Sequence, residues 1–438
     1  VDALRLRNAA MTARGYSAAT RSAPSLAEQH AGALLGLADQ CVKCGYCLPH
    51  CPTFKLARTE AESPRGRIAL IQGWLSGQIS DGARLEAHLD NCLECRACEP
   101  SCPSLVRYGA LMDGARALRM QRRSAWVRWR SRLKLELLTQ GGGLRLIAAA
   151  GILYRRLLPL PLVERLGRRW RSIRVLDPIA RSVRWPVSYK RPRIGSSVAP
   201  ADRDDIGVVS LFRGCVAQLT EQPLEAAALR LFTRLGIDIG LPSGQVCCGA
   251  MHRHNGFPAE ADQRLQVSRT TFGMRPVVGL ASACVAELQE HGQLNAIEVC
   301  RFLLDRPWPA EAKLLPLAAV VAVHEPCSHR HQLRDQTAIY QLLQRIPGIT
   351  LVALPDNETC CGAAGTYLTK HPETALALAA PKIEALRAIR PDDLVTTNTG
   401  CALHLSARAH AAGLPTEVVH PLQLIERQLP TLRPSSLA

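Results

Sequence analysis

Two rhythms of apolar and polar residues alternate through the C-terminal half of the chain. Ile206–Phe212 is a short β-rich run that leads to Cys215, and Ala318–Val323 is a second that leads to Cys327. Helical periodicity follows each run, over Leu224–Leu235 and Thr337–Arg345, and resumes over Ala259–Thr271 and His371–Arg387. Each cycle closes on an apolar strand that leads into a cysteine, Pro276–Cys284 and Asp392–Cys401. Matching cysteines lie 112 to 117 residues apart, so the pattern is an internal repeat. Such alternation predicts two tandem α/β units with mostly parallel sheets. Functional groups gather beyond the carboxyl ends of such strands, which is where these cysteines fall.

The N-terminal pattern is helical instead. Ser63 and Pro64 form a helix start that runs on through "RGRIALIQGWL". "RLEAHLDNCLEC" predicts a further helix that delivers a cysteine group. The chain has 438 residues, enough for two or three domains, and its 47% hydrophobic content is that of a folded protein. Seventeen cysteines at ligand spacings in so long a chain predict metal or redox chemistry in a reducing compartment, not a disulfide framework.

Residues 41–52 read "CVKCGYCLPHCP" and residues 92–103 read "CLECRACEPSCP". Both fit C-x2-C-x2-C-x3-C-P, the bacterial two-cluster ferredoxin run, in which the fourth cysteine serves the other cluster. The spacing predicts one [4Fe-4S] cluster on Cys41, Cys44, Cys47 and Cys102, and a second on Cys92, Cys95, Cys98 and Cys51. Zinc also takes four thiolates, but two complete motifs favour iron–sulfur. Such clusters pass electrons singly, so the chain is expected to link a two-electron donor to an acceptor.

The repeats carry doubled cysteines, "QVCCGA" and "ETCCGAAG". Adjacent cysteines are poor disulfide partners, because their Cα atoms are about 3.8 Å apart where a disulfide wants about 4.4–6.8 Å. Each repeat offers four thiols: Cys215, Cys247, Cys248 and Cys284 in the first, and Cys327, Cys360, Cys361 and Cys401 in the second. Four thiols suit an iron–sulfur cluster or a zinc ion, with bare redox thiols as a third reading. The following glycine permits a turn that a β-carbon would hinder. Cys300 has no counterpart and reads as a small buried hydrophobe. His252, His254, His324, His329, His331 and His404 flank the thiols; each reads first as a structural histidine, and as a ligand or proton relay second.

The basicity belongs to one segment. Residues 116–193 hold 21 Lys and Arg against three acids, while the whole chain carries +17. With Trp126, Trp129, Trp170 and Trp185 interleaved, this stretch predicts docking to an acidic subunit or an anionic membrane surface. A solvated connector is the plainer reading, and no motif supports nucleic-acid binding. The longest uncharged apolar run there, Leu146–Tyr154, is too short to span a bilayer. The Arg-rich N-terminus superficially resembles a transit peptide but lacks the apolar core of a secretory signal; it reads as a tail, with Met11 as another start.

The order of these elements resembles the iron–sulfur subunit of glycolate oxidase. "SPRGRIALI", "CPSLVRYGALMDGAR", "GCVAQ" and "CCGAAGTYLTKHP" carry the resemblance, which spans residues 35–430. It implies a multidomain α + α/β fold. The expected divisions are an N-terminal extension (1–34), an α-helical two-cluster domain (35–110), a basic docking segment (111–202), two cysteine-cysteine-glycine domains (203–311 and 312–430) and a tail (431–438). It also implies FAD-containing partner subunits that oxidise glycolate to glyoxylate. This chain would be their cytoplasmic or inner-membrane-peripheral link to a quinone or other membrane acceptor. No G-x-G-x-x-G after a strand and no P-loop is present, so the flavin is expected on the partners. D-lactate or glycerol-3-phosphate dehydrogenase partners are the alternative, as is a heterodisulfide-reductase-like role. Against the last, the second C-x-x-C positions hold Glu287 and His404, and Val285 replaces the glycine often found after the first repeat's last cysteine.

Overall fold

The computed structural model describes residues 26–157, 177 and 209–430. Much of the basic stretch, including Trp170 and Trp185, lies outside the described residues, as do residues 1–25 and the tail. The N-terminal module is helical, with α1 (Leu26–Asp39), α2 (Pro64–Leu75), α3 (Ala83–Asp90) and α4 (Tyr108–Arg122). Helix α1 lies across α2 and α4. Their apolar faces share a core of Leu34, Ile71, Trp74, Leu89, Leu111 and Met112. The predicted start of α2 is present: Ser63 Oγ accepts the Gly66 N–H at 2.9 Å, with Pro64 at the first helical position. Gly66 is needed here because a Cβ would sit 1.8 Å from Glu60 O.

Helices α5 (Ala125–Thr139) and α6 (Gly141–Leu157) carry the described part of the basic segment. Among the described residues, no single helix is long and apolar enough to cross a membrane. Glu136 on α5 pairs with Arg264 at 2.6 Å, which seats this helix on the first repeat.

The first repeat runs β1 (Val209–Phe212), α7 (Gln222–Arg234), β2 (Ile239–Gly240), α8 (Pro258–Phe272), β3 (Val277–Gly279), α9 (Ser282–Glu290), β4 (Ala296–Glu298) and α10 (Val299–Leu304). The second runs β5 (Val320–Val323), α11 (Thr337–Leu343), β6 (Thr350–Ala353), α12 (Pro372–Ile389), β7 (Asp393–Val395), α13 (Thr399–Ala411), β8 (Glu417–Val419) and α14 (Pro421–Gln428). Strand orders are β2-β1-β3-β4 and β6-β5-β7-β8, and each described ladder is parallel. Each sheet therefore has four strands, where periodicity marked two per repeat. Cys284 and Cys401 lie beyond the carboxyl ends of β3 and β7, in the first turns of α9 and α13.

The repeats pack against each other through a layer of four helices. Helix α7 lies on α14, and its counterpart α11 lies on α10, the counterpart of α14. This exchange is reciprocal, as in a two-fold interface. Val209, Leu211, Val321 and Val323 point into the shared core with Leu231, Phe232, Leu342 and Ile425. Arg230 grips Glu426 with two hydrogen bonds of 2.8 and 3.1 Å. Cys300 is fully buried in this core, as expected of a small hydrophobe.

Candidate metal centres

All seventeen cysteines are free thiols. The structure gathers Cys41, Cys44, Cys47 and Cys102 around one cavity, with Cys98 at its back wall. It gathers Cys51, Cys92, Cys95 and Cys98 around another. The two motifs share one backbone device. Lys43 and Gly45 flank Cys44 at φ 58° and 90°, and Glu94 and Arg96 flank Cys95 at 52° and 56°. Left-handed backbone costs a non-glycine residue about 1–2 kcal/mol, so the second motif is strained and must be held. Ion pairs hold it: from the first repeat, Glu290 pairs with Arg96 at 2.5 Å and His254 with Glu94, and from α4 Arg116 also pairs with Glu94.

The motif "SPRGRIALI" puts Arg67 under the second cavity. Its guanidinium is 1% exposed and donates to Glu62, to Thr53 Oγ1 (3.0 Å) and to His88 O (2.7 Å), 4.0 Å from Cys51 Sγ. Burial opposes its charge, but the Glu62 carboxylate paired with it holds it protonated. Burial pushes the Cys95 and Cys98 thiols well above their ordinary value. These thiols therefore stay protonated until a metal displaces their protons. Two fixed cations, Arg67 and Arg116, then face the negative charge that thiolate ligands bring, so the residues fit an iron–sulfur group.

Each doublet sits where its repeat's strands end. Gly249 and Gly362 adopt φ 100° and 89°, and a Cβ on Gly362 would lie 2.7 Å from Ala375 O. Gly362→Ala is expected to destabilise the second repeat by about 2–4 kcal/mol through left-handed strain and overlap. Chemical denaturation of the full chain measures it, and an unchanged midpoint would refute the packing argument. In the second repeat, Cys327 Sγ lies 4.0 Å from Cys360 Sγ, and Cys361 Sγ 3.3 Å from Cys401 Sγ. In the first, Cys215 and Cys284 pack against Cys247 and Cys248 in one apolar cluster, so all four thiols meet. The neighbouring Cys215 and Cys248 thiols hold Cys247 well below an ordinary thiol.

Two relations had no signal in the sequence. Cys95 packs with Cys360 and Cys327 in one apolar cluster with Tyr367, so the second ferredoxin-type cavity adjoins the second repeat. A cavity of about 170 Å³ opens beside this junction, lined by Cys92, Cys327, Cys360, Cys361 and Cys401. The first repeat's thiols border a different cavity of about 440 Å³, where Cys215 and Cys247 face Thr139, Gln140 and Leu144 of the basic segment.

The flanking histidines divide. His254 bonds Asp113 at 2.9 Å, His329 bonds Thr397 Oγ1 at 2.8 Å, and His404 Nε2 lies 3.2 Å from Ala375 O. These three are held by neighbouring protein groups. His252 and His324 are buried with neither ring nitrogen hydrogen-bonded among the described residues, although His252 Nε2 comes within 3.5 Å of Glu136. Glu287, at the second C-x-x-C position of the first repeat, is tied to Arg253 at 2.7 Å.

Comparison with known proteins agrees with this layout. The family described as "4Fe-4S dicluster domain" matches residues 37–121, and "Cysteine-rich domain" matches residues 209–289 and 321–406. The "Glycolate oxidase iron-sulfur subunit" of Escherichia coli (strain K12) is 30% identical over 412 residues, covering 89% of this chain and 93% of that protein. The "Probable glycolate oxidase iron-sulfur subunit" of Bacillus subtilis (strain 168) is 29% identical, covering 88% and 92%. "Lactate utilization protein A" of Geobacillus sp. (strain WCH70) is 27% identical and spans 50% of this chain. With one dicluster module, two cysteine-rich repeats and a match along nearly its whole length, the chain belongs to the glycolate oxidase iron–sulfur subunit family.

Proposed function

We propose that this chain carries electrons from a flavin-containing, glycolate-oxidising partner to a membrane quinone. The observation that carries the reading is the line of thiol sets from surface to interior. Cys44 is exposed, while Cys98 faces both ferredoxin-type cavities and Cys95 adjoins Cys327 and Cys360. The ligand sets are those read from the spacing, with a [4Fe-4S] cluster in each ferredoxin-type cavity. A further iron–sulfur group or zinc occupies each doublet. Bound there, such clusters supply one-electron carriage and no substrate chemistry.

Val42, Tyr46 and Leu105 are 67%, 68% and 78% exposed around the outermost set. An apolar rim of this kind fits a partner subunit and marks where electrons arrive. The quinone is assigned to the 440 Å³ cavity on the first repeat's thiols, because the cavity's wall comes from the basic segment and its size suits a small ligand. The first repeat's Cys284 segment meets the Cys327 segment through a Ser282–Ser328 hydrogen bond of 2.8 Å. On α5, Trp126 and Trp129 stack at 5.0 Å and stand exposed among Arg128, Arg130 and Arg132. Interfacial tryptophans among cations suit an anionic bilayer surface. Replacing both tryptophans with glutamate is expected to reduce binding to anionic vesicles at least tenfold. Equal sedimentation of the variant and the parent would remove the membrane from this reading.

Anaerobic co-purification from the host, with iron, sulfide, zinc and flavin measured together, tests the division of labour. The expected complex contains a flavoprotein and oxidises glycolate, while the isolated chain does not. Turnover of glycolate by the isolated chain would sink the proposal. A complex specific for D-lactate or glycerol 3-phosphate would reassign its substrate.

A further inference from the structure

His324 is 1% exposed, and neither ring nitrogen makes a hydrogen bond of ordinary geometry among the described residues; only a weak contact with the Asn357 side chain reaches it. Buried polar atoms are rarely left so, and the nearby Asn357 amide is already committed. Its Nδ2 donates to Val323 O at 2.8 Å, and its Oδ1 accepts the Glu325 N–H at 3.2 Å. What His324 does have close by is sulfur. One ring nitrogen and the Sγ atoms of Cys361 and Cys401 all lie within 4.8 Å of one another.

Strand periodicity explains the placement. In β5, Val321 and Val323 enter the core between the repeats, while Ala322 turns to the opposite face, with Cys361 and Cys401. His324 is two residues beyond Ala322 and continues that face. The matching position in the first repeat, three residues before Cys215, is Phe212. Its ring packs with Cys247, Cys248 and Phe272 and offers no donor.

We propose that His324 supplies an imidazole ligand, beside Cys327, Cys360, Cys361 and Cys401, to thiolate-bound iron or zinc in the second repeat. The inference rests on reading the doublets as metal sites. It makes this strand-end position, which is Phe212 in the first repeat, chemically unequal between the two.

The test uses the full chain purified anaerobically, as parent, His324→Cys and His324→Phe. Metal content is measured with iron and zinc X-ray absorption and with pulsed EPR of the reduced protein. The parent is expected to show a nitrogen ligand on one metal population. His324→Cys should keep the metal and exchange that nitrogen for sulfur. His324→Phe should lose the nitrogen and release the metal to a chelator at least tenfold faster. A sulfur-only parent, or a nitrogen signal unchanged in His324→Cys, would overturn the proposal; if His324→Phe does not fold, the cysteine variant decides. A zinc-free parent with only the dicluster's iron, about eight atoms per chain, also overturns it and leaves electron carriage through the ferredoxin-type sets intact. A parent without iron removes both readings.

Discussion

Arg67→Met is expected to abolish the second ferredoxin-type site and to destabilise the chain by about 3–5 kcal/mol, the usual cost of removing one partner from a buried ion pair. The side chain is buried against Glu62, which also receives His88 at 2.7 Å and Asn91 at 2.6 Å. Asn91 in turn accepts from Tyr367 of the second repeat at 2.6 Å. Methionine would fill the volume and leave Glu62 short of its cation. The cavity would also lose a positive charge 4.0 Å from Cys51 Sγ. Thermal denaturation and iron per chain measure both effects. Arg67→Lys restores charge without the forked geometry, so it should recover part of the stability and little of the iron. Full iron in the methionine variant would show that Arg67 serves packing only.

Cys95→Ser is expected to remove roughly half of the dicluster iron and to cut electron delivery to quinone at least a hundredfold. Cys95 stands between the ferredoxin-type module and the Cys327–Cys360 pair. Losing it breaks the line of ligand sets at the step into the repeats. Cys44→Ser, at the exposed thiol of the outer set, is expected to interrupt the line at its beginning. The two variants should lose different EPR signals while each keeps the other's. An unchanged iron count in either would rule out the ligand assignment.

Much of the site was legible because its chemistry depends on local spacing. Cysteines three residues apart can share a cluster whatever surrounds them, and Ser63 with Pro64 announces a helix through its own capping geometry. The repeat was legible for the same reason: glycine after each cysteine pair answers a backbone demand that the structure displays at φ 100° and 89°. The four missed strands, β2, β4, β6 and β8, are the edges of the two sheets. Partly exposed, as Thr350–Ala353 and Glu417–Val419 are, they lack the buried apolar run that marks the central strands. Their identity comes from the neighbour they pair with, not from their own composition.

The amino-acid sequence alone determined the helical module, the two α/β repeats and the sixteen cysteines grouped in fours. Those features rest on periodicity and on ligand spacing within a few turns of chain. Only the tertiary structure decided the reciprocal packing of the repeats, the ion pairs that brace Glu94 and Arg96, and the meeting of Cys95 with Cys360. It also separated His324, left beside two thiols without a hydrogen bond, from histidines that bond to neighbouring groups. Contacts between residues more than a hundred positions apart depend on which surfaces exclude water together, and no local pattern encodes that choice.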